Sequence, residues 1–301
     1  MQRLDRCLLP ILPILENMFR FVCMAWLPAA ILAASVWGQT TLPFDFRRGL
    51  VEVNVLIDGR VKARLGIDTG ADRLYLDDDF VKANDIEITG MSTSRAIVGV
   101  GGASRGQLAE LRSLAIGDER LYNLNATVID LAATVGGKKD VVRGLDGLIG
   151  DEVLQRFYIT VDYPGETITI QTSQPDFLNR GDFDEVRFSR LGHLLLVDAT
   201  FNDSIEVPMV LDYCASHTSL DSGLASELGL DGSPGTVVAV GRIALSDNVE
   251  ADSTYAAIAD LSNLKNSVRG GEFGGLLGGS FLYRFKITVD YKRNKIYFHR
   301  R

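Results

Sequence analysis

Two short segments place an aspartate where acid–base chemistry could occur. Asp68-Thr69-Gly70 closes the apolar run Leu65-Gly-Ile, and Asp212 closes the run Met209-Val-Leu. Two carboxylates held close together cannot both ionise cheaply, so their titrations separate and they share one proton. The ionised member can then draw a proton from water while the protonated member donates to a substrate carbonyl. That chemistry needs no metal, no cofactor and no covalent intermediate. Gly70 lets the backbone turn without a Cβ and brings amide N–H groups to the carboxylate. The Thr69 hydroxyl can tie its own loop to the backbone of the opposite loop, which would hold both acids at short separation.

Other chemistries are poorly supplied. Cys214 follows Asp212 closely, but His193, His217 and His299 are the only histidines and none sits in a recognisable thiol–base spacing. The His-Glu-x-x-His pattern of zinc peptidases does not occur. Asp162-Tyr163 and Asp290-Tyr291 each follow Ile-Thr-Val and precede a turn, so a structural role at a hairpin is expected for both aspartates.

The elements that position the two aspartates are written twice in the chain. Residues 147–163 read GLIGDEVLQRFYITVDY and residues 275–291 read GLLGGSFLYRFKITVDY, with 11 of 17 positions identical. Two copies of one supersecondary unit account for this. Aligning the aspartates takes an offset of 144 residues, whereas the later repeat takes 128, so the first copy holds 16 more residues between its aspartate and its glycine pair. Ahead of Asp68, the alternating run 51–57 and the run 60–67 flank Asp58-Gly59, which predicts a hairpin. Residues 193–201 and 204–211 flank Asn202-Asp203 in the same way ahead of Asp212. Brief helices are expected at Asp151–Arg156 and Ser222–Leu228. The polar, proline-containing stretch 173–189 is expected to link the halves.

The chain has 301 residues with a formal net charge of -8, which weighs against nucleic acid as a partner. Residues 21–37 contain no charge and follow Arg20, as in the apolar core of an export signal. Residues 1–40 are therefore read as a cleaved signal peptide or a retained single-pass membrane anchor. Seventeen uncharged residues lie at the short edge of a membrane span. The expected location is outside the cytoplasm: periplasmic, secreted, or membrane-anchored with the folded part outside. Of three cysteines, Cys7 and Cys23 lie in that leader and Cys214 stands alone, so the rest of the chain can form no internal disulfide.

LGIDTGAD (65–72), the glycine-rich VGVGGASRG (98–106) and GLIG (147–150) together resemble the retroviral-type, or retropepsin-like, aspartic proteases. LDYCAS (211–216), TVVAVGRI (236–243) and GLLG (275–278) echo them in the second half. The resemblance covers about residues 47–301. It implies an all-β fold of two tandem lobes, closed or partly open β-barrels related by an internal pseudo-two-fold: lobe 1 over 41–172 and lobe 2 over 190–301. It implies Asp68 and Asp212 as the catalytic pair, with Thr69, Gly70, Asp72 and Ser216 supporting the loops. Gly99, Gly101 and Gly102 fall in the segment that resembles a mobile flap.

The second loop departs from the pattern. Tyr213 stands where a small hydroxyl residue is expected and Cys214 where glycine is expected. Tyrosine reaches too far for the same bond, and the cysteine Cβ is expected to strain a backbone angle open to glycine. Three arrangements stay open: a working asymmetric dyad, a second lobe kept as support, or Asp68 loops meeting between two chains. The expected activity is hydrolysis of a peptide or protein substrate by a monomer whose lobes pair internally, with a homodimer as the other assembly. The alternative is a noncatalytic peptide-binding or scaffold protein.

Overall fold

The computed structural model describes residues 39–44, 49–91, 98–99, 102–103, 106–134, 140, 142–268 and 271–300. The expected leader lies outside these residues except for Gln39 and Thr40. Among the described residues, no helix is long and apolar enough to cross a membrane.

The described chain opens on β1 (Gln39–Pro43). Lobe 1 follows as β2 (Glu52–Ile57), β3 (Val61–Ile67), β4 (Leu74–Asp77), α1 (Asp78–Ala83), β5 (Ile88–Met91), β6 (Val98–Gly99), β7 (Gly102–Ala103), β8 (Gln107–Ile116), β9 (Glu119–Ile129), α2 (Leu131–Thr134), β10 (Gly147–Ile149) and α3 (Asp151–Leu154). The hairpin β11 (Tyr158–Asp162) and β12 (Thr167–Gln171) ends it, and β13 (Phe183–Arg187) leads to lobe 2. Lobe 2 runs β14 (Ser189–Leu191), β15 (Leu194–Phe201), β16 (Ile205–Leu211), β17 (Thr218–Asp221), α4 (Ser222–Glu227), β18 (Val237–Ser246), β19 (Val249–Ala259), α5 (Ser262–Ser267), β20 (Gly275–Leu277), α6 (Gly279–Leu282), β21 (Lys286–Asp290) and β22 (Lys295–His299).

Each lobe closes on itself. In lobe 1 the order β2-β3-β10-β4-β9-β8 returns to β2, and β5 adds to β8. In lobe 2 the order β15-β16-β20-β17-β19-β18 returns to β15, and β14 adds to β15. These are two closed six-stranded barrels of matching topology, so the fold is all-β with tandem pseudo-symmetric lobes. The hairpins before each aspartate form as expected. Asp58 and Gly59 have φ of 51° and 68°, and Asn202 and Asp203 have 48° and 60°, the left-handed pair that suits a two-residue hairpin turn.

A third sheet joins the lobes in the order β1-β12-β11-β21-β22-β13. At its centre β11 and β21 run antiparallel, with Thr160 opposite Thr288. These two residues are equivalent under the 128-residue repeat, so the pseudo-two-fold axis passes between them. Lobe 1 contributes β1, β11 and β12; lobe 2 contributes β13, β21 and β22. Residues 183–187, inside the segment expected to link the lobes, are thus the counterpart of β1 and pair with β22 as β1 pairs with β12. A short 3₁₀ turn at Asp176–Asn179 precedes them. The sequence gives β13 little apolar content, and its partner lies more than a hundred residues on, so local pattern does not reveal it.

The extra residues of lobe 1 can be placed. The offset between copies is 144 at α1 and α4 but 130 at β8 and β18. Fourteen of the 16 added residues therefore lie between α1 and β8, the stretch that holds β5, β6 and β7. There Gly99 pairs with Gly102, while Gly101 lies outside the described residues. β7 runs beside α2 of lobe 1 and β6 beside α5 of lobe 2, so this excursion spans two symmetry-related helices.

Candidate active site

β3 delivers Asp68 and β16 delivers Asp212. Each strand is nearly dry at that end: Leu65, Ile67, Met209, Val210 and Leu211 are fully buried. Beside each lies a short strand from the repeat, β10 parallel to β3 and β20 parallel to β16. A strand flanked on both edges and buried over most of both faces is apolar throughout, which is why Gly-Leu-Ile and Gly-Leu-Leu recur. Its last carbonyl receives the aspartate amide: Asp68 N donates to Ile149 O at 3.0 Å and Asp212 N to Leu277 O at 3.1 Å. The next glycine in each copy meets the loop backbone. A Cβ on Gly150 would lie 2.6 Å from Ala71 O, and one on Gly278 would lie 2.6 Å from Ala215 O, so neither position can hold a larger residue without moving its loop.

The two carboxyls sit in matching cradles. Asp68 Oδ1 accepts from Gly70 N at 2.8 Å, and Asp212 Oδ1 accepts from Cys214 N at 2.8 Å and Ala215 N at 3.1 Å. They also converge: a Cβ on Gly70 would lie 3.2 Å from Asp68 Oδ1 and 3.2 Å from Asp212 Oδ2. Asp212 is buried, whereas Asp68 keeps some exposure. Burial, and then the charge of Asp212, push the Asp68 pKa up to about 8. Burial pushes Asp212 up to about 6 against the pull of the Cys214 and Ala215 amides. Low-dielectric surroundings and a like charge nearby both favour one proton on the pair near neutrality.

A cross-lobe clamp exists in one direction. Thr69 is buried, and its Oγ1 donates to Leu211 O at 2.7 Å while accepting from Tyr213 N at 3.1 Å. Tyr213, the equivalent residue of lobe 2, is fully buried, and its hydroxyl has no hydrogen-bond partner. Its ring points into the core, edge-on to Tyr163 at 6.3 Å between centroids, and Tyr163 in turn packs on Tyr283.

Cys214 corrects one expectation. Neither Gly70 nor Cys214 has a left-handed φ, so the cysteine strains no glycine-only backbone. What differs is the space: where Gly70 leaves room, Cys214 carries a thiol beside Asp68. Burial, followed by the charges of Asp68 and Asp212, pushes this thiol well above the usual cysteine range, which opposes thiolate chemistry. His217 is exposed, with its Nδ1 3.0 Å from Ser216 Oγ.

The outer loop positions differ between copies. Asp72 accepts from Arg73 at 2.7 and 2.9 Å and from the Tyr75 hydroxyl. Burial alone would raise its pKa, but these donors outweigh burial and hold it below the usual range. Ser216 makes no ion pair; its carbonyl accepts from Tyr283 Oη at 2.6 Å.

Three residues at the lobe boundary escaped the sequence reading. Arg190 of β14 bridges to Asp151 of α3 at 2.5 Å. Asp151 is buried with its Oδ1 unpaired, and burial raises its pKa despite Arg190. His193 Nε2 lies 2.9 Å from Gly70 O. Both contacts join distant parts of the chain, and no local spacing announces them.

Asp162 and Asp290 take hairpin roles, accepting from Gly165 N at 2.9 Å and from Lys292 N and Arg293 N at 3.1 Å. Asp77, Asp78 and Asp79 bring carboxylate oxygens within 4.8 Å of one another. Their partners are local: Asp77 caps α1 through Asp79 N and Phe80 N and receives Leu131 N, while Asp78 pairs with Lys82.

A family model described as aspartyl protease matches residues 53–153, which hold the Asp68 loop and the first glycine repeat. Among solved structures the chain is similar to a retropepsin-like aspartic protease from Rickettsia conorii, at 20% identity and a TM-score of 0.33, over 44% of this chain and 90% of that one. No curated protein matches. The strand order and the two equivalent aspartate loops define the architecture as tandem retropepsin-like lobes, and the first lobe carries the family-level link to aspartyl proteases.

Proposed function

We propose that this protein is an aspartic endopeptidase whose two lobes pair within one chain and whose second active-site loop has diverged. The observation that carries the reading is the convergence of Asp68 and Asp212 on the same side of Gly70, each on its own amide cradle. With one proton on the pair, Asp68 holds it and Asp212, the ionised member, serves as the base. It takes a proton from a water molecule as that water's oxygen bonds to the scissile carbonyl carbon, while Asp68 gives its proton to the carbonyl oxygen. Collapse of the tetrahedral species breaks the C–N bond as Asp68 takes back a hydroxyl proton, and the proton on Asp212 passes to the leaving amine. The excursion holding Gly99, Gly101 and Gly102 serves as a single cover over an extended peptide. The uncharged stretch 21–37 supports export, as a cleaved signal or an anchor.

The Cys214 thiol beside Asp68 favours a second reading, a noncatalytic peptide-binding cleft, because it stands where the first loop has only Gly70. Hydrolysis of a diverse peptide library by residues 39–301, beside D68N and D212N, separates the two. Cleavage lost in both variants supports the two-acid enzyme. Peptide binding without cleavage by any form supports the binder, and loss in D68N alone points to Asp68 loops meeting between chains.

A further inference from the structure

The clamp between the two active loops is one-sided as far as the hydroxyl positions go. Lobe 1 holds the loop of lobe 2 through Thr69 Oγ1, which grips both Leu211 O and Tyr213 N. A two-fold arrangement would return that grip from position 213, but the Tyr213 hydroxyl is buried and unpaired. Lobe 2 nonetheless reaches the lobe 1 loop through His193, in the turn between β14 and β15. Its Nε2 lies 2.9 Å from Gly70 O, two residues from Asp68. A carbonyl oxygen only accepts, so Nε2 carries the proton and donates; neutral and protonated imidazole can both do this. The residue equivalent to His193 at the 144-residue offset is Gly49, which has no side chain and lies against Ser216 and Tyr283. The histidine is thus present only on the side where the return grip is missing.

We infer that His193 is a positioning residue that supplies the missing half of the inter-lobe clamp, fixing the Asp68 loop from lobe 2 as Thr69 fixes the Asp212 loop from lobe 1. Arg190, three residues earlier and bound to Asp151, fastens the same turn of lobe 2 to lobe 1 and so holds the imidazole in register. The role rests on the endopeptidase reading for its effect on rate, but the geometric claim stands apart from it. Loosening this bond lets the Asp68 carboxyl wander relative to Asp212, and misplacement on the order of 1 Å costs about 100-fold in rate.

The test uses H193A and H193Q, since a glutamine amide can reach the same carbonyl as Nε2. Peptide hydrolysis should show kcat down about 10- to 100-fold in H193A with KM within about threefold, and most of that loss restored in H193Q. Carboxyl-carbon NMR titration of Asp68 and Asp212, which needs no turnover, should show the separation between their two titrations shrinking in H193A and returning in H193Q. Thermal unfolding confirms that each variant is folded. An active wild type with H193A unchanged in kcat and titration overturns the clamp and leaves the endopeptidase standing. A wild type that cleaves nothing removes the endopeptidase reading, and the titration alone then decides the clamp. Equal loss in H193A and H193Q also overturns it, because the donor would not be what matters.

Discussion

Thr160 and Thr288, the same residue in the two copies, share a hydrogen bond of 2.7 Å across the pseudo-two-fold axis. Thr288 is fully buried and its Oγ1 also lies 2.8 Å from His299 Nε2. The two sides are therefore unequal. T160V leaves Thr288 a partner in His299 and should cost about 1 kcal/mol, whereas T288V strands two polar groups and should cost about 2–4 kcal/mol. Denaturant unfolding of both variants reads this directly; equal losses would mean the bond to His299 contributes nothing.

The Thr69 clamp should be dispensable in size but not in chemistry. T69A leaves Leu211 O and Tyr213 N buried without their partner, at about 2–4 kcal/mol, while T69S keeps the oxygen and should stay within about 1 kcal/mol of wild type. Unfolding midpoints settle it. A serine variant as unstable as the alanine would assign the effect to the methyl group instead.

Tyr213 offers the opposite sign. Its hydroxyl is desolvated with nothing to bond, so Y213F should raise stability by about 1 kcal/mol while keeping the ring contacts with Tyr163. A destabilised Y213F would show that the hydroxyl has a partner after all.

The acid pair makes stability depend on pH in an unusual direction. Both folded-state pKa values lie above the ordinary 3.8, at about 8 for Asp68 and about 6 for Asp212. The native state therefore binds more protons than the unfolded chain across this window. The stability contributed by the protonated pair is complete below about pH 4 and is lost as pH rises through about 6 to 8. D68N should flatten that decline in urea titrations between pH 4 and 8, and a decline unchanged in the variant would place its origin elsewhere. If the pair catalyses, its singly protonated form spans about pH 6–8, so kcat/KM should fall on both sides of that interval.

Much of this arrangement could be read before any coordinates. The doubled GLIGDEVLQRFYITVDY segment gives the short central strand, the helix and the axis strand in both lobes, because its glycines and apolar residues answer to local contacts. Asp58-Gly59 and Asn202-Asp203 mark their hairpins through φ alone. The apolar strands ending at Asp68 and Asp212 place both acids at the tips of parallel constructions. What stayed hidden depends on distant partners. Phe183–Arg187 reads as a polar connector until β22 lies beside it. His193 looks like any turn histidine until Gly70 O, 123 residues away, accepts its hydrogen bond. Tyr213 could be seen to be wrong for the clamp, but where its ring goes is decided by Tyr163 and Tyr283, which belong to different repeats.

The lone excursion between α1 and β8 makes the molecule handed about its own axis. An assembly of two identical chains presents the same face from either side, so an extended ligand can lie across it in two equivalent directions. Here one copy supplies the excursion, Asp72 and Gly70, and the other supplies Ser216 and Cys214. A chain laid across that axis meets a different surface at its amino end than at its carboxyl end, and the two directions of travel differ in energy. For the proposed peptide ligand, joining the copies in one polypeptide would give the cleft a reading direction.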